Sequence, residues 1–243
     1  MLIGDAIVYP FRGQNLGLMG VGAGFACIPP VIWAILPKLP YVGLIGAGIE
    51  MLVIWYIMIF FYSVMESGTK GEAVLPGWPQ IDDTREMMNR VLHMLAPLLI
   101  CFLPMIAYWL YLGISGALQG VYLFTPERVW ITAGLGFCGL CYLPIALLIF
   151  HFYGEIQIFN VIAAARSIFR MPGDYAAVAA LLVVLFGLHG AISAFTARFE
   201  YISVPISALG AFYVFTVAMR AIGLLYHRNR ERLDWERDQR AAK

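Results

Sequence analysis

The chain alternates long apolar stretches with short polar connections. Six stretches reach the roughly 20 apolar residues that a helix needs to cross the hydrocarbon layer of a bilayer. They cover residues 16–37, 41–65, 91–115, 129–153, 175–197 and 201–226. We therefore predict an all-α fold: a polytopic membrane protein with six transmembrane helices in one membrane domain over residues 1–243, ending in a cytoplasmic tail at 227–243.

Two segments of mixed polarity precede spans, and each has too few apolar residues to cross the membrane. Residues 2–11 and 156–170 each carry a Phe-Arg step at their end, with Arg12 and Arg170 as its arginines. We expect two interfacial helices here, because aromatic side chains suit the headgroup layer and arginine reaches from it into water. Each segment leads into a pair of spans, so the chain carries a weak internal repeat of parallel type around a middle pair of spans.

The composition fits lipid as the solvent of this chain. Hydrophobic residues make up 61% and charged residues 13% of the sequence, against about 45–50% and about 25% in soluble domains. The net charge of +1 leaves no basic footprint for a nucleic acid. We therefore expect partners within the bilayer, namely lipids and other membrane subunits.

Lys and Arg are distributed unequally between the two sides of the predicted spans. Twelve flank the side that holds both termini, and three lie on the other side, at Lys38, Arg128 and Arg198. Positively charged connections remain in the cytoplasm. Both termini are therefore expected there.

Cys138 and Cys141 form a Cys-x-x-Cys pair, which in a soluble protein suggests a redox dithiol or half of a zinc site. Here the pair falls inside a span, and Cys27 and Cys101 also lie about half way through theirs. Hydrocarbon opposes the thiolate that metal and redox chemistry need, and cysteine is a small apolar residue at helix contacts. We expect packing and no metal site, with a cluster of four thiols as the alternative.

Gly20 and Gly24 share one face of the first span. Small residues four positions apart allow another helix to approach closely. We expect that helix to belong to the same chain, with a partner subunit as the alternative.

Glu50 carries the strongest functional signal of any single residue. It lies inside the second span, where a carboxylate is costly unless it is paired or protonated. His189 in the fifth span lies at a similar depth, about 12 Å from the outer surface at 1.5 Å per residue. A Glu50–His189 pair is the candidate proton relay or ion site, and a neutral Glu50 bonded to a carbonyl or a tyrosine is the alternative.

Further side chains are candidates for contact with lipid or with the membrane interface. Besides Arg12 and Arg170, these are Arg220, which would snorkel from the inner end of the last span, and Trp78, in a Pro-Gly-Trp-Pro turn between the second and third spans. His93 and His151 match in depth, as the axial ligands of a haem would. Histidines at helix ends are commonly interfacial, so no cofactor is expected.

Three stretches carry a resemblance to a known group of proteins: LPGWPQIDD at 75–83, the run YLPIALLIFHFYGEIQIFNVIAAARSIFRMPGDY at 142–175, and MRAIGLLYHRNRERLDW at 219–235. In these and in its arrangement of spans the chain resembles the Yip-like group of multi-pass membrane domains. More closely it looks like bacterial, planctomycete-type integral membrane families of unknown function. The resemblance implies a helical fold in the bacterial cytoplasmic (inner) membrane and provides no catalytic residues.

The chain shows no nucleotide, metal or nucleophile motif, so we do not expect an enzyme. The favoured hypothesis is a non-catalytic scaffold or accessory subunit of a larger inner-membrane assembly. The alternative is a small-solute or ion transporter or channel that uses Glu50 in the bundle. The two differ in whether Glu50 lines a wet cavity or a dry contact.

Overall fold

The computed structural model describes residues 2–13, 15–35, 40–80, 84–119, 125–153, 161–233 and 235. These residues form eight α-helices and one 3-10 turn, and no strand occurs among them. The helices are α1 (Leu2–Val8), α2 (Asn15–Ile35), α3 (Pro40–Lys70), α4 (Thr84–Gln119), α5 (Pro126–Tyr153), α6 (Val161–Arg170), α7 (Pro172–Thr196) and α8 (Glu200–Leu233). The 3-10 turn, Tyr9–Phe11, follows α1 directly. The prediction of an all-helical fold is confirmed.

Within the described residues, five helices are long and apolar enough to cross a membrane. Their spanning parts are Ile45–Lys70, Arg85–Gly116, Pro126–Tyr153, Pro172–Thr196 and Ser203–Leu233. In α2 the stretch Asn15–Ile28 is apolar but shorter than a full span. The fold is thus that of a multi-pass helical membrane protein with five candidate spans among the described residues, and the sixth, over 16–37, stays a prediction.

The helix bounds follow local chemistry. Pro126 and Pro172 begin α5 and α7, where the missing N–H of proline removes no hydrogen bond. Gly71 follows the end of α3 with a φ of 76°, a conformation that glycine adopts without a steric penalty. α4 begins at Thr84 instead of residue 91, because the polar residues before the apolar stretch continue the same helix.

The starts of α2, α4 and α7 lie at the same end of the bundle as the ends of α3, α5 and α8. Arg90 of α4 donates to the hydroxyl of Ser63 in α3 at 3.3 Å. Asn229 of α8 donates to the carboxylate of Asp174 in α7 at 3.0 Å. Because α1 also packs on α8, we call this end the termini end and the opposite one the far end.

α3 and α8 form the centre of the bundle and run in the same direction. The rings of Phe61 and Phe212 lie 5.1 Å apart. Further along both helices, toward their C-terminal ends, Gly68 faces Gly223. A Cβ on Gly223 would lie 2.7 Å from the Cα of Gly68 and would collide with the carbonyl oxygen of Met65. This crossing therefore requires glycine, as close helix contacts in membranes commonly do.

The element order repeats, as the sequence predicts. A short helix, a long helix and a second long helix occur as α1–α2–α3 and again as α6–α7–α8. The two central helices, α3 and α8, hold the same place in the two units. Their common direction agrees with a repeat of parallel type.

α1 and the turn after it pack on α8. Tyr213 donates to the carbonyl oxygen of Ile7 at 3.2 Å, and about two turns later on α8 Arg220 Nη2 lies 3.6 Å from Asp5 Oδ2. The interfacial position expected for residues 2–11 stays a prediction.

α6 is amphipathic and packs on α5, α7 and α8. Ala164 and Ser167 are buried, whereas Ile162 and Phe169 are 74% and 80% exposed. Residues 156–160 of the predicted interfacial segment lie outside the described residues. The position of α6 at the membrane surface stays a prediction.

Burial changes along α5. In α5 every residue from Leu143 to Phe150 is buried, while Val129, Trp130 and Ile131 are all exposed. Consecutive residues point about 100° apart around a helix. Three exposed neighbours therefore leave most of the helix circumference uncovered at the far end.

Candidate functional site

Arg220 of α8 is the centre of a buried polar cluster at the termini end. Its side chain is 2% exposed, and its guanidinium carbon lies 4.2 Å from the centroid of the Tyr9 ring. Its Nη2 lies 3.6 Å from Asp5 Oδ2. The sequence predicts that Arg220 snorkels to the membrane surface. The structure corrects this, because the turn after α1 covers the side chain and keeps it inside the protein.

Asp5 connects the buried arginine to an exposed one. Its Oδ1 accepts from Arg12 Nη2 at 2.6 Å, and Arg12 is 43% exposed. One carboxylate thus lies between two guanidinium groups. A buried cation needs such a partner, because an uncompensated charge in the interior is strongly destabilising. The expected contact of Arg12 with lipid stays a prediction, and Asp5 competes for the same guanidinium group.

Tyr9 joins this cluster to the connection after α3. The ring is fully buried, and its hydroxyl donates to the carbonyl oxygen of Val74 at 3.0 Å. Asn15, at the start of α2, donates to the Tyr9 carbonyl oxygen at 2.7 Å and accepts from the amide of Leu75. Burial raises the pKa of Tyr9 above its ordinary value. The cluster therefore ties α1, α2, α3 and α8 together.

Sequence reasoning missed Asp5, Tyr9 and Asn15, since they lie in or next to a segment interpreted as interfacial. A signal was present in their spacing. Asp5, Tyr9 and Arg12 follow at i, i+4 and i+7, which places them on one face of a helix. A polar face on so short a helix indicates that the helix covers a polar group elsewhere in the chain.

Trp78 lies inside a cluster of aromatic rings. Its ring stacks on Phe60 at 4.5 Å and on Tyr56 at 5.6 Å, and Phe25 of α2 lies 5.6 Å away. The Tyr56 hydroxyl donates to the carbonyl oxygen of Pro79 at 3.0 Å. The connection after α3 therefore folds back over the bundle, and the interface position expected for Trp78 stays a prediction.

His189 lies against α8. A Cβ on Gly210 would lie 3.1 Å from His189 Nδ1, so the glycine makes room for the imidazole. His189 also lines an otherwise largely apolar cavity of about 500 Å³ between α2, α7 and α8. Glu50 is half-buried on α3, and α3 and α7 each pack on α8. The Glu50–His189 pair stays a prediction.

His93 and His151 are both neighbours of Tyr62. The Tyr62 hydroxyl and His151 Nδ1 lie 2.7 Å apart, and His93 Nδ1 lies 2.7 Å from the carbonyl oxygen of Asn89. The ring centroids of His93 and His151 lie 5.9 Å and 5.5 Å from that of Tyr62. The His151 nitrogen thus links α5 to α3, whereas the His93 nitrogen contacts a carbonyl within α4, and His93 meets α3 through its ring contact with Tyr62.

The four cysteines occupy different environments. Cys101 is buried, and a Cβ on Gly139 would lie 2.8 Å from its carbonyl oxygen, so α4 and α5 pack closely at this point. Cys138 is exposed, and Cys27 and Cys141 are partly exposed. All four are free thiols. Within the described part of the chain, no group of three or more His, Cys, Asp or Glu side chains is placed to hold a metal ion.

The predicted close contact through Gly20 and Gly24 of α2 is made by a different face of the helix. Open space lies beside both Gly20 and Gly24, whereas Gly22 between them packs directly on the ring of Phe212. The close contact of α2 with α8 is therefore made by the neighbouring helix face. Gly20 instead borders the apolar cavity that contains His189.

Arg170 lies at the end of α6 and donates to the carbonyl oxygen of Leu233 at 2.9 Å. It thereby satisfies one of the free carbonyl groups at the end of α8. Its expected contact with lipid stays a prediction.

No family model, curated protein or solved structure matches the chain. The resemblance to the Yip-like group and to bacterial membrane families therefore remains an expectation from the sequence.

Proposed function

We propose that this protein is a non-catalytic scaffold or accessory subunit of a larger assembly in the bacterial inner membrane. The observation that carries the proposal is the exposed far half of α4 and α5. Leu110, Tyr111 and Ile114 of α4 are more than 60% exposed, and Trp130 of α5 is 76% exposed. A surface of this kind suits the packing of further membrane helices.

Small residues on the same surface support this proposal. Gly113 and Gly134 have open space beside them, so they serve no close contact within the described chain. Glycine on a membrane helix weakens the helix unless it allows another backbone to approach. Exposed glycines between large aromatic side chains form a surface with depressions, into which the side chains of a partner helix fit.

The remaining parts of the proposal rest on the sequence. The charge distribution supports cytoplasmic termini, and the length of the first apolar stretch supports a sixth span. The amphipathic character of α6 supports a position at the inner membrane surface. The resemblance to bacterial membrane families supports the inner membrane as the location.

The test compares glycine substitutions on two faces. Gly113→Leu and Gly134→Leu place bulk on the α4–α5 surface, and Gly190→Leu places the same bulk on α7, where the space is also open. The protein is purified in a mild detergent, and co-migrating subunits are quantified by mass spectrometry. We expect the first two variants to lose their partner and Gly190→Leu to keep it.

Retention of every subunit by Gly113→Leu and Gly134→Leu would contradict the proposal. The transporter alternative is tested separately in proteoliposomes with Glu50→Gln. Under our proposal, wild type and variant show the same background proton and ion flux. A flux that depends on Glu50 would favour the transporter instead.

A further inference from the structure

A small cavity lies at the termini end between α5, α6 and the end of α8. Its volume is about 220 Å³, and its polar lining consists of Tyr153, Arg166, Ser167, Arg170 and Trp235. None of the described residues that line it is acidic. The two cations and the hydroxyl groups among the described lining residues suit an anion.

The two arginines are one helical turn apart on α6. Arg170 uses one Nη1 donor on the Leu233 carbonyl oxygen and keeps further donors, because a guanidinium carries five N–H groups. In the described residues neither Arg166 nor Arg170 forms an ion pair with a carboxylate. Like charges four residues apart repel, so an anion between them would stabilise this arrangement.

The equivalent position in the first unit is different. Arg12 follows the same Phe-Arg pattern, but Asp5 holds its guanidinium at 2.6 Å. The charge of Arg12 is therefore compensated within the protein. Within the described part of the chain, no carboxylate compensates the charges of Arg166 and Arg170 in this way.

The exposed face of α6 also carries apolar anchors. Ile162 and Phe169 are 74% and 80% exposed. Counted from Ile162, Arg166, Phe169 and Arg170 follow at i+4, i+7 and i+8, so all four side chains share one helix face. Helices with such a face lie at the boundary between headgroups and acyl chains. A lipid bound here would contact the arginines with its headgroup and the two apolar side chains with its acyl chains.

We propose that this cavity binds the phosphate group of an anionic phospholipid from the cytoplasmic leaflet. Arg166 and Arg170 contact the phosphate oxygens, for which the planar guanidinium is the best suited side chain. Basic pockets between membrane helices on the cytoplasmic side recognise anionic headgroups by this chemistry. A free phosphate ion shares the chemistry, and the experiment separates the two sources.

The test measures lipid binding to the full chain. Protein purified in a neutral detergent is titrated with phosphatidylglycerol, with phosphatidylcholine and with inorganic phosphate, and bound species are counted by native mass spectrometry. We expect a preference for phosphatidylglycerol over phosphatidylcholine. Arg166→Gln leaves the bond between Arg170 and Leu233 in place and should lower the affinity for phosphatidylglycerol about fivefold. The double variant with Arg170→Gln should lower this affinity about thirtyfold.

Two controls keep the result interpretable. Arg90→Gln, at an arginine paired with Glu86 in α4, leaves the preference unchanged, and Arg170→Lys retains most of it because the charge remains. Thermal unfolding identifies any variant that fails to fold. Equal phosphatidylglycerol binding by wild type and Arg166→Gln would overturn the proposal. Equally strong binding of inorganic phosphate would overturn its lipid component.

Discussion

The two halves of the same helices are held in different ways. At the termini half of α8, residues such as Val217, Ile222 and Leu225 are completely buried, while Leu209 toward the far end is 51% exposed. In α3 the same change separates Phe60, which is fully buried, from Leu52, which is 64% exposed. The termini half is therefore a packed core of this chain, whereas in the far half these helices keep large apolar side chains exposed.

The polar groups follow the same division. Arg220, Asp5, Tyr9 and Asn15 form one connected cluster at the termini half. Tyr9 and Asn15 are joined by hydrogen bonds, whereas Arg220 is held by the Asp5 carboxylate and the Tyr9 ring, and its Nε and Nη1 have no hydrogen-bond partner among the described residues. The cluster connects α1, α2 and α8 with the connection after α3, and its incomplete hydrogen bonding makes the packing around Arg220 sensitive to the loss of a partner.

The largest effect is expected at the glycine crossing of the termini half. Gly223→Leu forces a side chain against the backbone of Gly68, so we expect the free energy of unfolding to fall by about 3 kcal/mol. Gly134→Leu at the far half, with open space beside it, changes that free energy little. Unfolding in mixed micelles measures both, and equal losses would remove the difference between the halves.

The second largest effect is expected for the ion pair between Arg220 and Asp5 in the termini half. Asp5→Asn leaves Arg220 buried without its carboxylate, and we expect a loss of about 2 kcal/mol, since Asp5 itself is partly exposed. Arg220→Met in the same background removes the uncompensated charge and restores part of the stability. A double-mutant cycle measures the coupling, and strictly additive effects of the two changes would contradict the pairing.

A smaller effect is expected for the Tyr9 hydroxyl. Tyr9→Phe leaves the Val74 carbonyl oxygen without its donor, which costs about 1 kcal/mol. Burial raises the pKa of Tyr9 above 10.0, so the stabilisation from the neutral phenol is complete below about pH 10.0 and is lost as the pH rises through the raised value. Unfolding followed against pH should show a smaller alkaline loss of stability in Tyr9→Phe than in wild type.

The cysteines provide the smallest expected difference. Cys138→Ala combined with Cys141→Ala should leave the unfolding free energy and the metal content unchanged, because neither side chain is fully buried. Cys101→Ala removes a buried thiol next to the α4–α5 contact and should cost about 1 kcal/mol. Elemental analysis of the purified protein checks the first variant, and a metal lost on substitution would contradict the packing interpretation.

Apolar length alone predicted most of the long helices. The stretch 129–153 corresponds to α5 at Pro126–Tyr153, and 175–197 corresponds to α7 at Pro172–Thr196. A spanning helix satisfies its own backbone, so its existence depends on local sequence. Both helices begin three residues before the predicted stretches, because polar residues at a helix start continue the helix without adding to the apolar signal.

The burial of Arg220 was not predictable in the same way. It depends on a contact with Asp5, more than two hundred positions away in the chain. The glycine faces show the same limit, since Gly20 and Gly24 have the spacing of a contact while Gly22 makes it. Periodicity predicts which residues share a face, and only the packing of distant helices determines which face is covered.

Photo-cross-linking in native membranes tests most directly whether the far half of α4 and α5 contacts a partner. A photoreactive residue replaces Leu110 or Trp130 on this surface, or Val184 on α7 as a control of comparable exposure. The account predicts discrete protein adducts from Leu110 and Trp130 and only lipid adducts from Val184. Lipid adducts alone at all three positions would contradict the assignment of this protein as a subunit of a larger assembly.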